Sequence, residues 1–440
     1  MADQPDMMAI GDSMYQGVRS LSFTPKQAPF SPPAQVARAL QMHMLVPDLA
    51  HPLLFDMEVE LRQGGVLDLI THIRDVCLQN LAFWDMNHPW SVHDAFDNVA
   101  VGGATIDALH NDTYDMHVQE LPRYINQLKD RNISIEALAA AIGDLWYALN
   151  SCYTLNPRHL PAQGGQTQVQ QAIERQPRYL LVNIGSNEGL FMAGFTGDLT
   201  IDTASYLSKI QALAEWLNKM PARTERIMFN SLVRPRFIPN LMPSPEHEME
   251  FPGFEYYAAY GPRIYSTQQD ITGEQMAAFD AKIHRLNQDA ADLLKQMIGD
   301  RLVFVDLYAA GDAADGKHYQ GRGLHATAGR QDKTLNNKPI TPLLFGGYYG
   351  GMAGLDNMHP TVPGYAFIGD QVLAALGSKV RIDKSAAFTN DTLLTNFAGV
   401  PTLVAQMELS LLGTFGAFRG KPAVTADTLA SNAAGTVGSA

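Results

Sequence analysis

Short apolar runs alternate with longer amphipathic segments along most of the chain, and this alternation restricts the fold more than any other feature of the sequence. An apolar run of about four to eight residues is typical of a strand buried on both faces of a sheet. An amphipathic segment that follows such a run is typical of a covering helix. The pattern therefore predicts an α/β fold around a central parallel sheet of about five strands. The candidate strands are residues 7–10, 98–101, 179–184, 226–232 and 302–308.

Several of the amphipathic segments carry signals for where a helix begins. Ser31 stands before two prolines, which is typical of an N-cap followed by the first helical turn. Thr272 and Gln275 have the spacing of a capping box, and apolar residues follow at helical intervals. The predicted helices cover residues 31–42, 65–83, 116–130 and 134–150 and the segment that begins at Thr272.

Composition and charge exclude several classes of protein. With 440 residues and 46% hydrophobic content, the chain is long enough for one large domain with insertions or for two domains. A formal net charge of -13 argues against a nucleic-acid partner. Two cysteines make no disulfide framework, so we expect both to be reduced or buried. No run of residues is long and apolar enough to predict a transmembrane helix.

The start of the chain carries no visible export signal. "MADQPD" lacks a basic segment and the apolar segment that would follow it. The expectation is a cytoplasmic protein unless a signal peptide has been removed, so the sequence leaves the location open.

The first predicted strand ends in Gly11-Asp12-Ser13, which places a serine at the carboxyl end of a parallel strand. In open α/β sheets ligands bind at this edge. The same three residues are also typical of a polar turn that leads into a helix. The tripeptide alone therefore does not separate a nucleophile from a turn.

Other chemically useful residues follow later strands in the same way. Gly103 comes after the run at 98–101, and Asn187 comes after the run at 179–184. Asp356 and His359 are three residues apart, a spacing that allows a carboxylate to orient an imidazole. A serine hydrolase needs a nucleophile, a base, a carboxylate that orients the base, and donors for the oxyanion. The strand ends supply a candidate for each part.

These residues, in this order, resemble the four sequence blocks of the SGNH or GDSL hydrolases. The blocks are Gly11-Asp12-Ser13, Gly103, Gly185-x-Asn187 and Asp356-x-x-His359, and the resemblance spans residues 7 to about 376. The flanking segments "DNVAVGGATIDAL" and "DNMHPTVPGYAFIGDQV" resemble those of the bacterial esterase and lipase branch. The resemblance implies a flavodoxin-like three-layer sandwich and esterase or lipase activity without a metal or a cofactor.

The resemblance also implies a role for each matching residue. Ser13 would be the nucleophile, His359 the general base and then the general acid, and Asp356 the residue that orients His359. The oxyanion hole would be formed by the backbone N–H groups of Ser13 and Gly103 and by the side-chain amide of Asn187. Asp12 would hold the turn.

Two positions depart from the family pattern. Met14 replaces a leucine, a swap that conserves volume. Glu188 replaces an aspartate, and its longer side chain is expected to reach a different partner. No GxSxG motif surrounds Ser13, which argues against the α/β-hydrolase fold.

The remaining histidines have no metal-ligand spacing and are expected to be structural or exposed to solvent. The alternative for His110 or His117 is a place at the substrate entrance.

The hydrolase domain is expected to span residues 7–376, with cap-like helical insertions at about 108–178 and 235–271. A helical extension at 377–419 and a disordered tail at 420–440 would follow it. The aromatic segments at 251–265 and 343–355 would either line an apolar acyl pocket or pack the insertions. The sequence leaves these two alternatives open.

Three functions remain open at this stage. The first is a serine hydrolase that cleaves carboxylic esters of small molecules or lipids through an acyl-enzyme. The second is a thioesterase or carbohydrate deacetylase that uses the same site. The third is a catalytically idle protein that binds a ligand. A homo-oligomer is compatible with all three.

Overall fold

A parallel sheet of four strands forms the centre of an α/β fold in the computed structural model of the chain. The structure describes residues 4–62, 69–243, 255–262, 271–315, 324–325, 334–335 and 352–392. The strands are β1 (Met7–Gly11), β2 (Tyr179–Asn183), β3 (Arg226–Asn230), β4 (Leu241–Pro243), β5 (Ala259–Pro262), β6 (Ile271–Thr272), β7 (Leu302–Val305), β8 (Leu324–His325) and β9 (Thr334–Leu335).

Helices pack on both faces of this sheet. They are α1 (Ser13–Gln16), α2 (Pro32–Ala39), α3 (Met57–Arg62), α4 (Leu69–Asn80), α5 (Ala108–Asn111), α6 (Tyr114–Lys129), α7 (Ile135–Leu155), α8 (Gln168–Arg175), α9 (Leu190–Thr196), α10 (Thr203–Leu217), α11 (Gly273–Ile298), α12 (Leu307–Ala314), α13 (Val362–Ala375) and α14 (Lys384–Asn390).

The central sheet has the order β1-β2-β3-β7, and all of its neighbouring strands are parallel. Its register places Ile10, Val182, Phe229 and Phe304 in one row across the sheet. Each of the four strands begins at the first residue of a predicted apolar run, which confirms those predictions, and β1 extends one residue beyond its run, to Gly11. Two small antiparallel sheets, β4-β5-β6 and β8-β9, lie outside the central sheet.

The prediction of a fifth strand at residues 98–101 is wrong. This segment runs beside β1, and Val99 N–H donates to Ala9 O, but it forms a single isolated bridge between Ala9 and Asn98. The N–H of Val101 also donates to Gly11 O, but the N–H of Gly11, which would continue the ladder, donates to Gln168 Oε1 instead. The segment is an irregular edge to a four-stranded sheet.

Side chains that alternate along the strands enter two different core clusters. Met7 and Ala9 belong to one cluster, which also includes residues of α4, α6, α7 and α13. Met8 and Ile10 belong to the other, which includes residues of α8, α10 and α11. The apolar runs therefore form strands that are buried on both faces, as their composition predicts.

The predicted helix starts are largely confirmed. Ser31 is the N-cap of α2, although its side chain makes no capping hydrogen bond. Thr272 and Gln275 form both hydrogen bonds of a capping box at the start of α11. The helices predicted at 116–130 and 134–150 correspond to α6 and α7. The helix predicted at 65–83 is α4, whose first described residue is Leu69; residues 65–68 lie outside the described ranges.

The chain after residue 376 is described as far as Thr392. α14 lies in the predicted extension, and Phe388 packs there with no exposed surface. Residues 393–419 and the tail at 420–440 lie outside the described residues. Cys77 and Cys152 are both free and buried, as expected. None of the helices described here combines the length and apolarity needed to cross a bilayer.

Candidate active site

Ser13 is the first residue of α1, directly after β1. At Gly11 the chain passes so close to β2 that a Cβ atom there would lie 2.1 Å from Asn183 O, so only glycine fits. Asp12 then acts as the N-cap of α1, and its Oδ1 accepts from the backbone N–H of Met14 at 3.2 Å. The strand end and the cap together fix the direction in which Ser13 leaves the sheet.

Ser13, His359 and Asp356 form one hydrogen-bonded chain, although 346 residues separate the first two. His359 Nε2 lies 3.0 Å from Ser13 Oγ, and His359 Nδ1 lies 2.7 Å from Asp356 Oδ2. All three residues have no exposed surface. The side chains are thus arranged as a nucleophile, a base in contact with it, and a carboxylate in contact with the base.

The carboxylate of Asp356 accepts four hydrogen bonds. Its Oδ1 accepts from the backbone N–H groups of Met358 and His359, each at 3.0 Å. Its Oδ2 accepts from His359 Nδ1 and from the backbone N–H of Leu21, the latter at 3.0 Å. Burial raises the pKa of Asp356, but His359 and these hydrogen bonds outweigh burial, and the net pKa is lowered. The group is therefore held as an anion next to the imidazole.

The three predicted oxyanion donors lie around the ends of β1 and β2. Within the part of the chain that the structure describes, no acceptor is bonded to the backbone N–H of Ser13 or of Gly103. Asn187 Nδ2 donates to Ala104 O at 2.8 Å, which orients the amide and ties it to the residue after Gly103. The second N–H of that amide remains available to a ligand.

Glu188, the second departure from the family pattern, makes two side-chain contacts. Its Oε1 accepts from the backbone N–H of Ile106 at 2.9 Å, and its Oε2 lies 2.7 Å from Lys209 Nζ. Lys209 also pairs with Asp107 at 3.0 Å. This carboxylate therefore joins the loop that carries Asn187 to the loop that carries Gly103.

A buried polar network beneath Ser13 was not predicted from the sequence. Asn183 Nδ2 donates to Asp12 Oδ1 at 2.8 Å, Asn230 Nδ2 donates to Asn183 Oδ1 at 2.9 Å, and Tyr15 O–H donates to Asn230 Oδ1 at 3.1 Å. Burial raises the pKa of Asp12 to about 7, despite the hydrogen bonds from Asn183 and Met14. The sequence signal for this network is the asparagine that ends both β2 and β3.

Two buried glutamines, which were not predicted from the sequence, also bond to the backbone at the end of β1 and just before Gly103. Gln168 Oε1 accepts from the backbone N–H of Gly11 at 2.8 Å. Gln16 Oε1 accepts from the backbone N–H of Gly102 at 2.8 Å and from Asn150 Nδ2. The helices α7 and α8, in the predicted insertion at 108–178, therefore support the site from beneath.

An apolar cavity lies beside the hydrogen-bonded chain. Met14 follows Ser13, Met358 precedes His359, and both line the cavity. The ring of Phe191, another lining residue, stacks on the His359 ring with centroids 5.4 Å apart. The other lining residues are Ser186, Leu190, Val233, Phe237, Ile238, Pro239, Leu307, Met352, Ala353, Pro360, Phe367 and Ile368.

The two predicted insertions differ in whether they line the cavity. Three lining residues, Phe237 to Pro239, belong to the insertion at 235–271, and no lining residue described here belongs to the insertion at 108–178. Of the aromatic segments, residues 255–262 and 352–355 are described, and Met352 and Ala353 line the cavity. The rest of 251–265 and of 343–355 lies outside the described residues.

The two histidines proposed for the entrance do not line this cavity in the described structure. His117 Nε2 lies 3.1 Å from Asp112 Oδ2, and its ring packs edge-on against Tyr147. His110 is half-buried, and burial lowers its pKa. Among the described residues, no group of three or more His, Cys, Asp or Glu side chains is arranged to hold a metal ion.

Comparison of the chain with known proteins gave no family: no family model, no curated protein and no solved structure matches it. Its chemistry is therefore argued from the geometry of the site.

Proposed function

We propose that the protein is a serine hydrolase of the SGNH or GDSL type that cleaves carboxylic esters through an acyl-enzyme. The observation that carries the proposal is the hydrogen-bonded chain from Ser13 through His359 to Asp356. Three side chains of the required types, far apart in sequence, meet with the connectivity that nucleophilic catalysis needs. The order of the sequence blocks along a parallel α/β sheet supports a flavodoxin-like three-layer architecture for the same chain.

In the proposed mechanism Ser13 Oγ attacks the ester carbonyl carbon while His359 Nε2 takes its proton. Asp356 holds Nδ1 of the imidazole and stabilises the imidazolium. The negative charge on the carbonyl oxygen is bound by the N–H groups of Ser13 and Gly103 and by the Asn187 amide. The tetrahedral intermediate then collapses, the ester C–O bond breaks, and His359 gives its proton to the leaving alcohol.

Hydrolysis of the acyl-enzyme repeats these steps with water in place of the serine. His359 takes a proton from the water as the water attacks the acyl carbon, and it returns that proton to Ser13 Oγ as the acid leaves. Each step in this cycle moves a proton or makes and breaks an acyl–oxygen bond, with no change of oxidation state.

The lining of the cavity favours an acyl substrate over a sugar. All but one of its described lining residues are apolar, and Ser186 is the exception. A site for acetylated sugar would need polar groups to pair with hydroxyls, since unpaired polar groups are costly when buried. An esterase or lipase-like activity on an apolar acyl group is therefore proposed ahead of a carbohydrate deacetylase.

The test is hydrolysis of p-nitrophenyl esters from acetate to palmitate by the wild type and by Ser13→Ala. We expect turnover in the wild type, and no turnover in Ser13→Ala at unchanged thermal stability. A fluorophosphonate probe should label the wild type and fail to label Ser13→Ala. Ser151→Ala, which removes a buried hydroxyl in α7, is the matched control and should keep both activities. Hydrolysis that survives in Ser13→Ala, or a wild type that neither turns over nor labels, would contradict the proposal.

A further inference from the structure

A tight turn at Arg19–Ser22 contacts the carboxylate of Asp356. The N–H of Arg19 donates to Ser22 O at 3.0 Å, and the N–H of Ser22 donates to Arg19 O at 2.9 Å. Its two central residues, Ser20 and Leu21, have φ of 51° and 56°. Glycine or asparagine normally occupies such positions, because a side chain is strained there. Surrounding contacts must therefore hold this turn in place.

The turn delivers one hydrogen bond to the proposed triad acid. The backbone N–H of Leu21 donates to Asp356 Oδ2 at 3.0 Å, on the same oxygen that accepts from His359 Nδ1. The two donors on Oδ1 come from Met358 and His359, within the turn of Asp356 itself. Among the described contacts, Leu21 is thus the distant residue that fixes where this carboxylate lies.

The side chain of Ser20 ties the same turn to the backbone before Asp356. Ser20 Oγ donates to Glu58 Oε1 at 2.9 Å and accepts from the N–H of Leu355 at 3.0 Å. This approach requires glycine at 354, where a Cβ atom would lie 2.8 Å from Ser20 Oγ and from Arg19 Cγ. The two loops are therefore in direct contact at Asp356 and at the two residues before it.

Buried charges clamp the turn from the other side. Arg19 is 2% exposed and makes two hydrogen bonds to Glu58, from Nε at 2.7 Å and from Nη2 at 2.9 Å. Its Nη1 lies 2.7 Å from Oδ2 of Asp391, which has no exposed surface. A guanidinium that bridges two carboxylates has little freedom to move, because each ion would be left buried without a partner.

Asp391 also contacts the segment that follows His359. Its Oδ2 accepts from the backbone N–H of Val362, the first residue of α13, at 2.8 Å. One carboxylate therefore joins the turn at 19–22 to the helix that begins three residues after His359. Asp391 comes after α14, in the predicted extension of the chain.

We propose that Asp391, Arg19, Glu58 and Ser20 form a clamp that positions Asp356 against His359, so that the extension after residue 376 completes the active site. The proposal rests on the function proposed above, in which Asp356 orients the base. The four residues are positioning residues, since none of them touches Ser13 Oγ or the cavity in the described structure. Loss of the clamp should weaken the Asp356–His359 hydrogen bond before it unfolds the protein.

The test compares Ser20→Ala and Asp391→Asn with the wild type in two measurements. Steady-state ester hydrolysis should show kcat lowered roughly tenfold with KM changed less than about twofold, because a small displacement of a catalytic group costs rate rather than binding. Proton NMR should show the far-downfield signal of His359 Nδ1–H shifted upfield or lost. The signal is assigned by its absence in His359→Gln.

Asp97→Asn is the matched control. Asp97 is a buried carboxylate that pairs with Arg175 and accepts from the N–H of Leu45, away from the turn. Its replacement should lower thermal stability while kcat, KM and the His359 signal stay as in the wild type. Asp356 and Asp12, two carboxyl groups whose charges act on His359, are intact in all of these variants.

The outcomes separate the clamp from the proposed activity. If Ser20→Ala and Asp391→Asn lose thermal stability as Asp97→Asn does, with kcat and the NMR signal unchanged, the clamp is structural only and the proposal is overturned. If the wild type hydrolyses no ester but its His359 signal moves in Ser20→Ala, the clamp stands and the proposed function fails. If Asp391→Asn does not fold, Ser20→Ala decides alone, because it removes one hydroxyl and leaves all charges in place.

Discussion

Glu188 accepts a hydrogen bond of 2.9 Å from the backbone N–H of Ile106, three residues after Gly103. This contact joins two loops that each carry a proposed oxyanion donor, since Asn187 precedes Glu188. The spacing between the Gly103 N–H and the Asn187 amide therefore depends on a side chain that is not itself a donor. An oxyanion hole works only when its donors are held at fixed positions before the charge develops.

Replacement of Glu188 by alanine should therefore lower kcat for ester hydrolysis roughly tenfold with little change in KM, because the donors lose their fixed spacing. Glu188→Gln keeps an oxygen that accepts from Ile106 and should stay close to the wild type. Glu225→Ala removes a carboxylate that pairs with Arg178 on the surface, and it is the control for a lost ion pair. Equal activities in Glu188→Ala and Glu225→Ala would show that the Glu188 contact is not needed to hold the Gly103 and Asn187 loops at their spacing.

Removal of the Asn187 amide should affect the transition state more than the substrate complex. We expect Asn187→Ala to lower kcat about a hundred- to a thousandfold, the usual cost of one oxyanion donor, with a much smaller rise in KM. Asn187→Asp should be at least as damaging, since a carboxylate repels the developing oxyanion. Steady-state kinetics with one p-nitrophenyl ester checks both variants. A rise in KM at unchanged kcat would remove Asn187 from the oxyanion hole.

The buried carboxyl of Asp12 predicts a specific pH dependence of stability. Burial raises its pKa from 3.8 to about 7 in the folded protein, so between these pH values the folded chain holds a proton that the unfolded chain has lost. The free energy of unfolding then falls as the pH rises through this range. Asp12→Asn has no proton to lose, and its stability relative to the wild type should increase from about pH 4 to about pH 7.

Urea unfolding of the two proteins over this pH range measures that difference directly. The asparagine keeps an oxygen that accepts from Met14 and Asn183, so the cap of α1 is preserved. All other titrating groups are common to both proteins, so a difference between the two curves reports on Asp12 and on groups coupled to it, such as His359. Parallel stability curves for the wild type and Asp12→Asn would mean that Asp12 is already ionised in the folded protein at low pH.

The sequence predicted the elements whose signals are local and missed those that depend on distant partners. Four apolar runs gave the four strands, and the capping box at Thr272 gave the start of α11. The run at 98–101 has the composition of a strand, but the N–H of Gly11, which would continue its ladder with β1, donates to Gln168 Oε1. Nothing within the run indicates that competing acceptor.

The residues of the candidate site likewise divide into those that local sequence signals predict and those that depend on distant contacts. The triad and oxyanion candidates could be proposed because each stands at a strand end or before the last helix of the domain. The turn at Ser20 and Leu21 could not, because serine and leucine are not residues that favour positive φ. Glu58, Leu355 and Asp356 bond to that turn from elsewhere in the chain. Contacts of this kind are visible only in three dimensions.

The apolar cavity predicts that acyl length can be restricted without damage to the chemistry. Val233 is partly exposed and lines the cavity, and it makes none of the triad or oxyanion hydrogen bonds described above. Val233→Phe adds a bulky ring to this wall, so long acyl chains should lose room while an acetyl group still fits. We expect kcat/KM for the longest esters that the wild type accepts to fall roughly tenfold or more relative to acetate, at nearly unchanged acetate hydrolysis.

Val92→Phe is the matched control, because Val92 is 80% exposed and does not line the cavity. It makes the same chemical change and should leave the ratio of long-chain to acetate hydrolysis as in the wild type. The measurement is kcat/KM along the series from acetate to palmitate for the three proteins. If Val233→Phe lowers all esters equally, the substitution disturbs the triad rather than an acyl site. If it changes none of them, the acyl group binds elsewhere and the cavity is not the substrate pocket.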